Sequence, residues 1–192
     1  MTTAWDELSE TIAAAPCPVD VLPPGPRAAE CLDGLGVTTA SWLGAVVDNS
    51  GGLLVDHGWL RVLGGGTDTL PDILTAQSFD TEHFLVAYDV LGGKFAWSPA
   101  TMRYFAPDVL EWEDLDLGYS AWLHAMLGGA LEGLYETLRW PGWQDEVAAA
   151  RADQGIHLFP PPWSAEGKDV SRVSRKVVPM GELLSPHGNQ GS

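Results

Sequence analysis

The chain has 192 residues, 45% of them hydrophobic and 19% charged, which excludes an intrinsically disordered protein and fits one domain. Its 26 acidic residues against 10 basic residues give a formal net charge of −16. This charge opposes binding to nucleic acid or anionic membranes and favours a basic protein as partner, with solubility alone as the simpler explanation.

The first fifty residues predict helices. A helix from Thr3 to about Ala15 is indicated by Thr3 as a cap and by apolar residues that recur on one face. The five prolines of PCPVDVLPPGP are expected to exclude regular structure from residues 16–26. Two further helices are predicted, one from Pro26 to Gly34 and one from about Thr39 to Asp48.

Short strands are predicted after residue 51. LLVD and WLRVL form two strands joined through His57 and Gly58, and four more runs follow: FLVAYDV, KFAWS, MRYFAP and DVLEWEDL. Turn-forming residues separate these runs, so the strands are expected to pair as an antiparallel meander. Within it, residues 84–98 predict a hairpin whose turn contains Gly92 and Gly93, and this hairpin is expected to be structural.

Helices are predicted again in the last third. GYSAWLHAMLGGALEGLYETLRW indicates a helix that ends or bends at Gly128 and Gly129, and Pro141 begins another. IHLFPPPW holds too many prolines for a central strand. The whole pattern predicts the α+β class: one domain over residues 1–184, with an antiparallel meander against which N- and C-terminal helices pack, and a disordered tail at 185–192.

The N-terminal residues and the cysteines indicate the cellular compartment in which the protein is expected. MTTAWDELSE carries acids where a signal peptide has Lys or Arg, and the longest uncharged apolar run, 34–47, is too short for a membrane span. We therefore expect a soluble, cytoplasmic protein in which Cys17 and Cys31 are free thiols. Neither cysteine belongs to a CxxC pair and the histidines are scattered, so no metal site and no cofactor are predicted.

Asp56 and His57, in the segment VDHGW, are the best catalytic candidates. An Asp beside a His could orient and charge the imidazole of a small hydrolase or nucleotide-acting enzyme. Neighbouring residues of a strand point to opposite faces, so a direct bond between the two requires a turn. The segment LGGGTD, residues 63–68, lacks the GxGxxG spacing and the Gly-Lys-Ser/Thr of a phosphate loop. The catalytic role therefore stays the alternative to a non-enzymatic one.

Binding candidates come from the acidic residues and the tryptophans. Acids cluster around the predicted sheet, where they form either a catalytic carboxylate pair or a solvated face: Asp89, Asp108, Glu111, Glu113, Asp114 and Asp116. Of these, Glu111, Glu113 and Asp114 are expected to face a basic, toxin-like protein.

Three tryptophans, Trp140, Trp143 and Trp163, lie among prolines. They form either a rigid aromatic platform for a peptide or the covered edge of the core. A homodimer that uses exposed tryptophans is a third alternative.

Five segments resemble an uncharacterised bacterial family called domain of unknown function 2625: GGLLVDHGWLRVLGGGTDTLP, YFAPDVLEWEDLDLGYSAWL, LRWPGW, DQGIHLFPPPW and EGKDVSRVSRKVVPM. The resemblance covers about Val37 to Leu184 and implies no activity, because the family has no established one.

The order of FLVAYDVLGGKFAW, MRYFAPDVLEW and the helix GYSAWLHAML resembles the SUKH superfamily. Its members are α+β proteins, many of them immunity proteins that bind bacterial toxins. That resemblance implies a non-enzymatic protein-binding module and transfers no catalytic residue. The long C-terminal extension after Trp140, rich in Trp and Pro, departs from the SUKH pattern.

Overall fold

The structure, a computed structural model, describes residues 1–185; the predicted tail from residue 186 onward lies outside the described residues. Its main feature is a seven-stranded sheet in which each strand pairs antiparallel with its neighbours in sequence. The strands are β1 (Val19–Leu22), β2 (Gly52–Val55), β3 (Leu60–Leu63), β4 (Leu85–Asp89), β5 (Lys94–Trp97), β6 (Met102–Phe105) and β7 (Trp112–Asp114). The predicted meander and the α+β class are confirmed.

Helices precede, interrupt and follow this sheet. They are α1 (Ala4–Ala13), α2 (Ala28–Leu35), α3 (Trp42–Asn49), α4 (Tyr119–Ala125), α5 (Leu131–Leu134), α6 (Trp143–Ala149) and α7 (Met180–Leu184), with a 3-10 helix at Thr75–Phe79 and a π-helical segment at Met126–Ala130. Over residues 1–185, no helix has the length and apolar character that a membrane span requires.

The helix ends follow the local signals of the sequence. The Thr3 hydroxyl accepts a hydrogen bond from the Asp6 amide (3.1 Å), and the Asp6 carboxylate accepts one from the Thr3 amide (2.8 Å). This reciprocal capping box satisfies donors that have no partner within the helix and begins α1 where predicted. The predicted bend at the glycine pair is also present, because Gly129 has a φ of 106° between α4 and α5.

The prediction for residues 16–26 is wrong, because β1 lies within this proline-rich segment and pairs with β2. Val19 to Leu22 form the one stretch of four residues there without a proline, and they occupy an edge strand. Prolines are tolerated beside an edge strand because only one side of the strand needs backbone donors.

One face of the sheet packs against helices. Phe95 and Tyr104 are cross-strand partners on this face, and their rings stack with centroids 4.5 Å apart. The ring of Trp122, from α4, lies 5.2 Å from Phe95, and the ring of Tyr135, just after α5, lies 6.3 Å from Tyr104. The aromatic side chains of this helical segment, Trp122 and Tyr135, therefore cover the centre of the meander.

A smaller sheet of β8 (Gln154–Phe159) and β9 (Ser174–Pro179) adjoins the opposite face. Arg61 and Tyr88 are cross-strand partners on this second face, and the buried Arg61 guanidinium donates hydrogen bonds to the carbonyls of Ala152 (3.3 Å) and Gln154. β8 ends directly before Pro160 and pairs with β9 alone, so it is not a central strand, whereas the sequence did not predict β9.

The hairpin of β4 and β5 is present as predicted. Gly92 takes the positive φ of 94° that the turn needs, a conformation open to glycine at little cost. The Asp89 carboxylate caps the turn from inside by accepting hydrogen bonds from the amides of Leu91 (2.9 Å) and Gly93 (2.8 Å). The buried turn thus has an acceptor for two of its amides, which a core position requires.

Candidate functional site

The predicted acidic binding residues lie at the last strand of the large sheet. Glu113 and Asp114 belong to β7 and Glu111 precedes it, and all three are exposed. Successive strand residues point to opposite faces, so the two strand acids place charge on both sides of this edge. Within residues 1–185, no ion pair joins any of the three to a cation. We call these three residues the acidic edge.

Aromatic contacts anchor the acidic edge. The imidazole of His83 stacks on Trp112 of β7 with ring centroids 4.1 Å apart, and the Arg103 guanidinium lies 5.6 Å from the same ring. Two apolar side chains flank the strand, Val109 and Leu117, which are 58% and 36% exposed. The acidic edge therefore combines negative charge with exposed apolar side chains, and the aromatic contacts hold its strand in place.

Asp89 does not join this edge. It is fully buried, and besides the turn amides it accepts a hydrogen bond from the Tyr135 hydroxyl at 2.9 Å. Burial raises the pKa of Asp89 to about 6, although these hydrogen bonds favour the ionised form. The structure uses this carboxylate to hold a turn inside the core, and so it does not serve as half of a surface carboxylate pair.

Asp56 and His57 occupy the turn between β2 and β3, as predicted. Together with Gly58 they form three successive residues with positive φ, at 56°, 63° and 85°. Asp and His tolerate this left-handed region better than most residues with a side chain. The Asp56 amide donates to the Pro18 carbonyl (2.8 Å), which ties the turn to the segment before β1.

The Asp56 carboxylate pairs with Arg139. Its Oδ2 lies 2.7 Å from Arg139 Nη2, and the two side chains are only 12% and 11% exposed. The guanidinium sits among aromatic rings, with its Cζ 3.9 Å from the centroid of Trp143, 4.7 Å from Trp59 and 5.7 Å from Tyr135. Within the described chain neither Nε nor Nη2 of Arg139 makes a hydrogen bond, although Nη2 is the atom closest to Asp56, so charge attraction and ring contacts hold this group.

His57 takes no part in that pair. Its ring packs edge-on against Trp143, with centroids 5.6 Å apart, and it makes no hydrogen bond to the Asp56 carboxylate within the described chain. A hydrolase centred on these residues needs the carboxylate to orient the imidazole, and Arg139 occupies that carboxylate instead. Sequence reasoning missed Arg139, whose position in the aromatic segment LRWPGW was the one available signal.

A cleft of about 370 Å³ opens beside this ion pair, and we call it the Asp56 cleft. Its lining comes from four parts of the chain: Pro16, Cys17, Asp56, Gly129, Leu131, Glu132, Glu136, Arg139, Trp143 and Gln144. Burial first, and then the charge of Asp56, raise the pKa of the Cys17 thiol above its usual range. The thiol is therefore protonated at neutral pH and is a poor nucleophile.

The three predicted tryptophans do not share one surface. Trp140 is 2% exposed, and its indole donates a hydrogen bond to Glu146 at 3.0 Å. Trp143 lines the Asp56 cleft, whereas Trp163, 37% exposed, borders a separate shallow depression with Leu91 and Leu183. Trp140 therefore covers the core edge, and only the other two can reach a ligand.

The glycine-rich segment 63–68 is a packed turn. The amide of Gly65 donates to the Ser50 carbonyl (2.9 Å) and that of Gly66 to the Gly51 carbonyl (3.0 Å). A phosphate-binding loop needs such amides free to point at the ligand. Elsewhere in residues 1–185, no three His, Cys, Asp or Glu side chains cluster as metal ligands.

Comparison with known proteins gives a family but no activity. The family model described as "Protein of unknown function DUF2625" matches residues 1–183. The chain is 35% identical over 196 residues to "Putative uncharacterized protein YbfG" of Escherichia coli K12, covering 94% of this chain and 88% of that protein. It is 32% identical over 183 residues to an "Uncharacterized protein" of Haemophilus influenzae Rd, covering 86% and 80%. No solved structure matches, and the SUKH resemblance stays a prediction.

Proposed function

The chain belongs to the family of proteins of unknown function DUF2625, and we propose that it is a non-enzymatic module that binds a basic protein at the acidic edge. The observation that carries this proposal is the exposure of Glu111, Glu113 and Asp114 on an anchored edge strand, where none of them forms an ion pair in the described chain. Unpaired surface carboxylates attract an oppositely charged partner and guide its orientation.

The rest of the chain strengthens that field. The formal net charge is −16, so a basic protein is attracted over a long range and is then oriented by the local carboxylates. Val109 and Leu117 supply apolar area next to the acids, which a stable complex needs because exposed ion pairs alone contribute little.

A toxin is the class of basic partner that we propose. The support is the resemblance of the β4–β7 segment and α4 to the SUKH superfamily, in which immunity proteins bind toxins. In this role the protein neutralises its partner by occupying a surface and needs no catalytic group. This agrees with the arrangement at Asp56 and His57, where the imidazole and the carboxylate are not paired.

The test is capture of a partner by two variants of equal net charge. One variant carries Glu111→Lys, Glu113→Lys and Asp114→Lys at the acidic edge. The control carries Lys at Glu10, Asp33 and Asp48, three exposed acids on or beside α1, α2 and α3. Proteins retained at low salt from a lysate of the producing organism are identified for both variants and the unchanged chain.

We expect a basic protein that binds the unchanged chain and the control but is lost with the edge variant. The same protein, purified, should then form a complex with a defined stoichiometry. Equal loss of partner binding with both variants would show that binding depends on net charge alone. A partner that is acidic would contradict the proposal.

A further inference from the structure

The Asp56 cleft has the size and construction of a ligand site. Its volume of about 370 Å³ lies at the lower end of the range for small-molecule sites. Its walls are held together by the Asp56–Arg139 ion pair and by the bond from the Asp56 amide to Pro18. The cleft is therefore formed by fixed elements before any ligand enters, which lowers the entropic cost of binding.

The charges in the cleft favour a cation. Asp56 is neutralised by Arg139, but Glu132 and Glu136 also line the cleft, and in the described chain neither forms an ion pair. The lining thus holds three carboxylates against one guanidinium. An anionic ligand would be repelled by Glu132 and Glu136, and it could pair with Arg139 only by breaking the ion pair with Asp56. Anionic ligands are therefore disfavoured.

The remaining wall suits an alkyl chain. Pro16 is exposed and provides apolar surface, and the half-buried Trp143 provides an indole at the same cleft, whereas Leu131 belongs to the core. Indole rings already hold a cation here, since the Arg139 guanidinium lies 3.9 Å from the Trp143 centroid. The protonated Cys17 adds a neutral, weakly polar group and no nucleophile.

We propose that the Asp56 cleft binds an organic cation, an ammonium or guanidinium group carried on a short alkyl chain. Glu132 and Glu136 pair with the charged group, while Pro16 and Trp143 contact the chain. Two sources offer this chemistry: a free diamine or guanidine, and the Lys or Arg side chain of a protein. The inference does not rest on the acidic edge, because β7 and the β1–β3 region lie at opposite ends of the strand order.

The test uses agmatine and putrescine as probes, with butanediol as the neutral analogue of putrescine. Binding is measured at low ionic strength by calorimetry and by the fluorescence of the full chain. Glu132→Gln combined with Glu136→Gln removes the charges at two exposed positions while keeping side-chain volume. Glu111→Gln combined with Glu113→Gln removes the same charge from the acidic edge as the matched control, and circular dichroism confirms folding of both.

We expect saturable binding of both cations, none of butanediol, and a loss of at least about tenfold in affinity for the cleft variant only. Equal weakening by the two variants would show non-specific attraction to an acidic protein and overturn the proposal, as would absence of saturable binding. An acetylated Gly-Arg-Gly amide then distinguishes the sources: if it displaces agmatine, the cleft accepts a protein side chain, and if it does not, the cleft accepts free cations only. If cation binding fails while partner capture at the acidic edge succeeds, only the present inference is withdrawn.

Discussion

The Tyr135 hydroxyl donates a 2.9 Å hydrogen bond to Asp89, and this bond connects the segment after α5 to the turn of the β4–β5 hairpin. Both residues are fully buried. Asp89 also accepts the amides of Leu91 and Gly93, so one carboxylate joins a turn, a strand end and a helix end. An ionisable group at such a junction couples the stability of the whole core to pH.

The first prediction is that Asp89 makes the free energy of unfolding fall as pH rises from about 4 to 6. Burial raises its pKa from 3.8 to about 6, so in this range the folded chain binds more protons than the unfolded chain. The stabilisation is fully present below the unfolded pKa and is lost as the pH passes the folded one. The difference amounts to about 3 kcal/mol.

Denaturant unfolding of Asp89→Asn across this pH range measures the effect. The amide keeps the shape of the carboxyl group but has no proton to lose, so the stability difference between the unchanged chain and the variant should depend on pH. Asp48→Asn, at an exposed position of α3, serves as the control. A difference for Asp89→Asn that stays constant with pH would rule out this residue as the source.

The second prediction concerns the buried pair of Asp56 and Arg139. Removing either charge leaves the other one buried without a partner, which costs about 3–5 kcal/mol. Asp56→Asn and Arg139→Met should each lower stability by this order, and the double variant should recover part of the loss. Denaturant unfolding of all four chains gives the coupling energy.

The exposed pair of Arg151 and Asp153 is the comparison for this cycle, since its side chains are 64% and 40% exposed. Arg151→Met should change stability far less than either single variant of the buried pair, because water screens an exposed ion pair. If the single variants at Asp56 and Arg139 lower the free energy of unfolding as little as Arg151→Met does, the buried pair contributes nothing specific to the stability of the fold.

The third prediction concerns the turn glycines of the β4–β5 hairpin. A side chain at Gly93 would collide with the Asp89 carboxylate, and one at Gly92 would lie 2.9 Å from Leu183 Cβ in a backbone with positive φ. Gly92→Val and Gly93→Val should therefore each lower the melting temperature, by a destabilisation of about 1–2 kcal/mol or more. Thermal unfolding followed by circular dichroism measures this.

Gly133→Val is the control for the turn variants. Gly133 is exposed in α5 and has no positive φ, and nothing lies within 4 Å of a Cβ atom built there. Its melting temperature should stay close to that of the unchanged chain. Unaltered melting temperatures for valine at both turn positions would contradict the role assigned to this turn.

The fourth prediction concerns the rate at which a partner binds the acidic edge. Exposed charges accelerate encounter, and salt screens them once the Debye length falls to about 3 Å near 1 M. Raising the salt concentration should therefore slow association markedly and change dissociation little. Surface plasmon resonance with the captured partner measures both rates. If the association rate does not change with salt concentration, the charge serves solubility and does not guide binding.

The sequence predicts the local parts of this fold well. Thr3 and Asp6 cap α1 within one turn of chain, and Gly92 permits the turn of the β4–β5 hairpin. These signals depend on backbone conformation and on neighbours a few residues away, so they act before any tertiary contact forms. The meander follows from them, because short turns leave adjacent strands no other arrangement than antiparallel pairing.

Strands β1 and β9 show where local signals end. Val19–Leu22 stands between prolines, and its conformation is set by pairing with Leu53 and Leu54 of β2. β9 likewise forms against β8, across an intervening loop. A strand of four to six residues gains its stability from cross-strand partners, so its own residues indicate it only weakly.

The acidic positions at β7 and the turn at Asp56 are determined by the sequence itself, through charge pattern and turn chemistry. What Asp56 contacts was decided by the tertiary structure, which brings Arg139 to its carboxylate and surrounds that guanidinium with Trp59 and Trp143. The adjacent His57 does not form this pair, because the turn directs its ring to the edge of Trp143. A buried carboxylate pairs with the opposite charge that the tertiary structure places within contact distance. Being adjacent in the sequence does not by itself create such a contact.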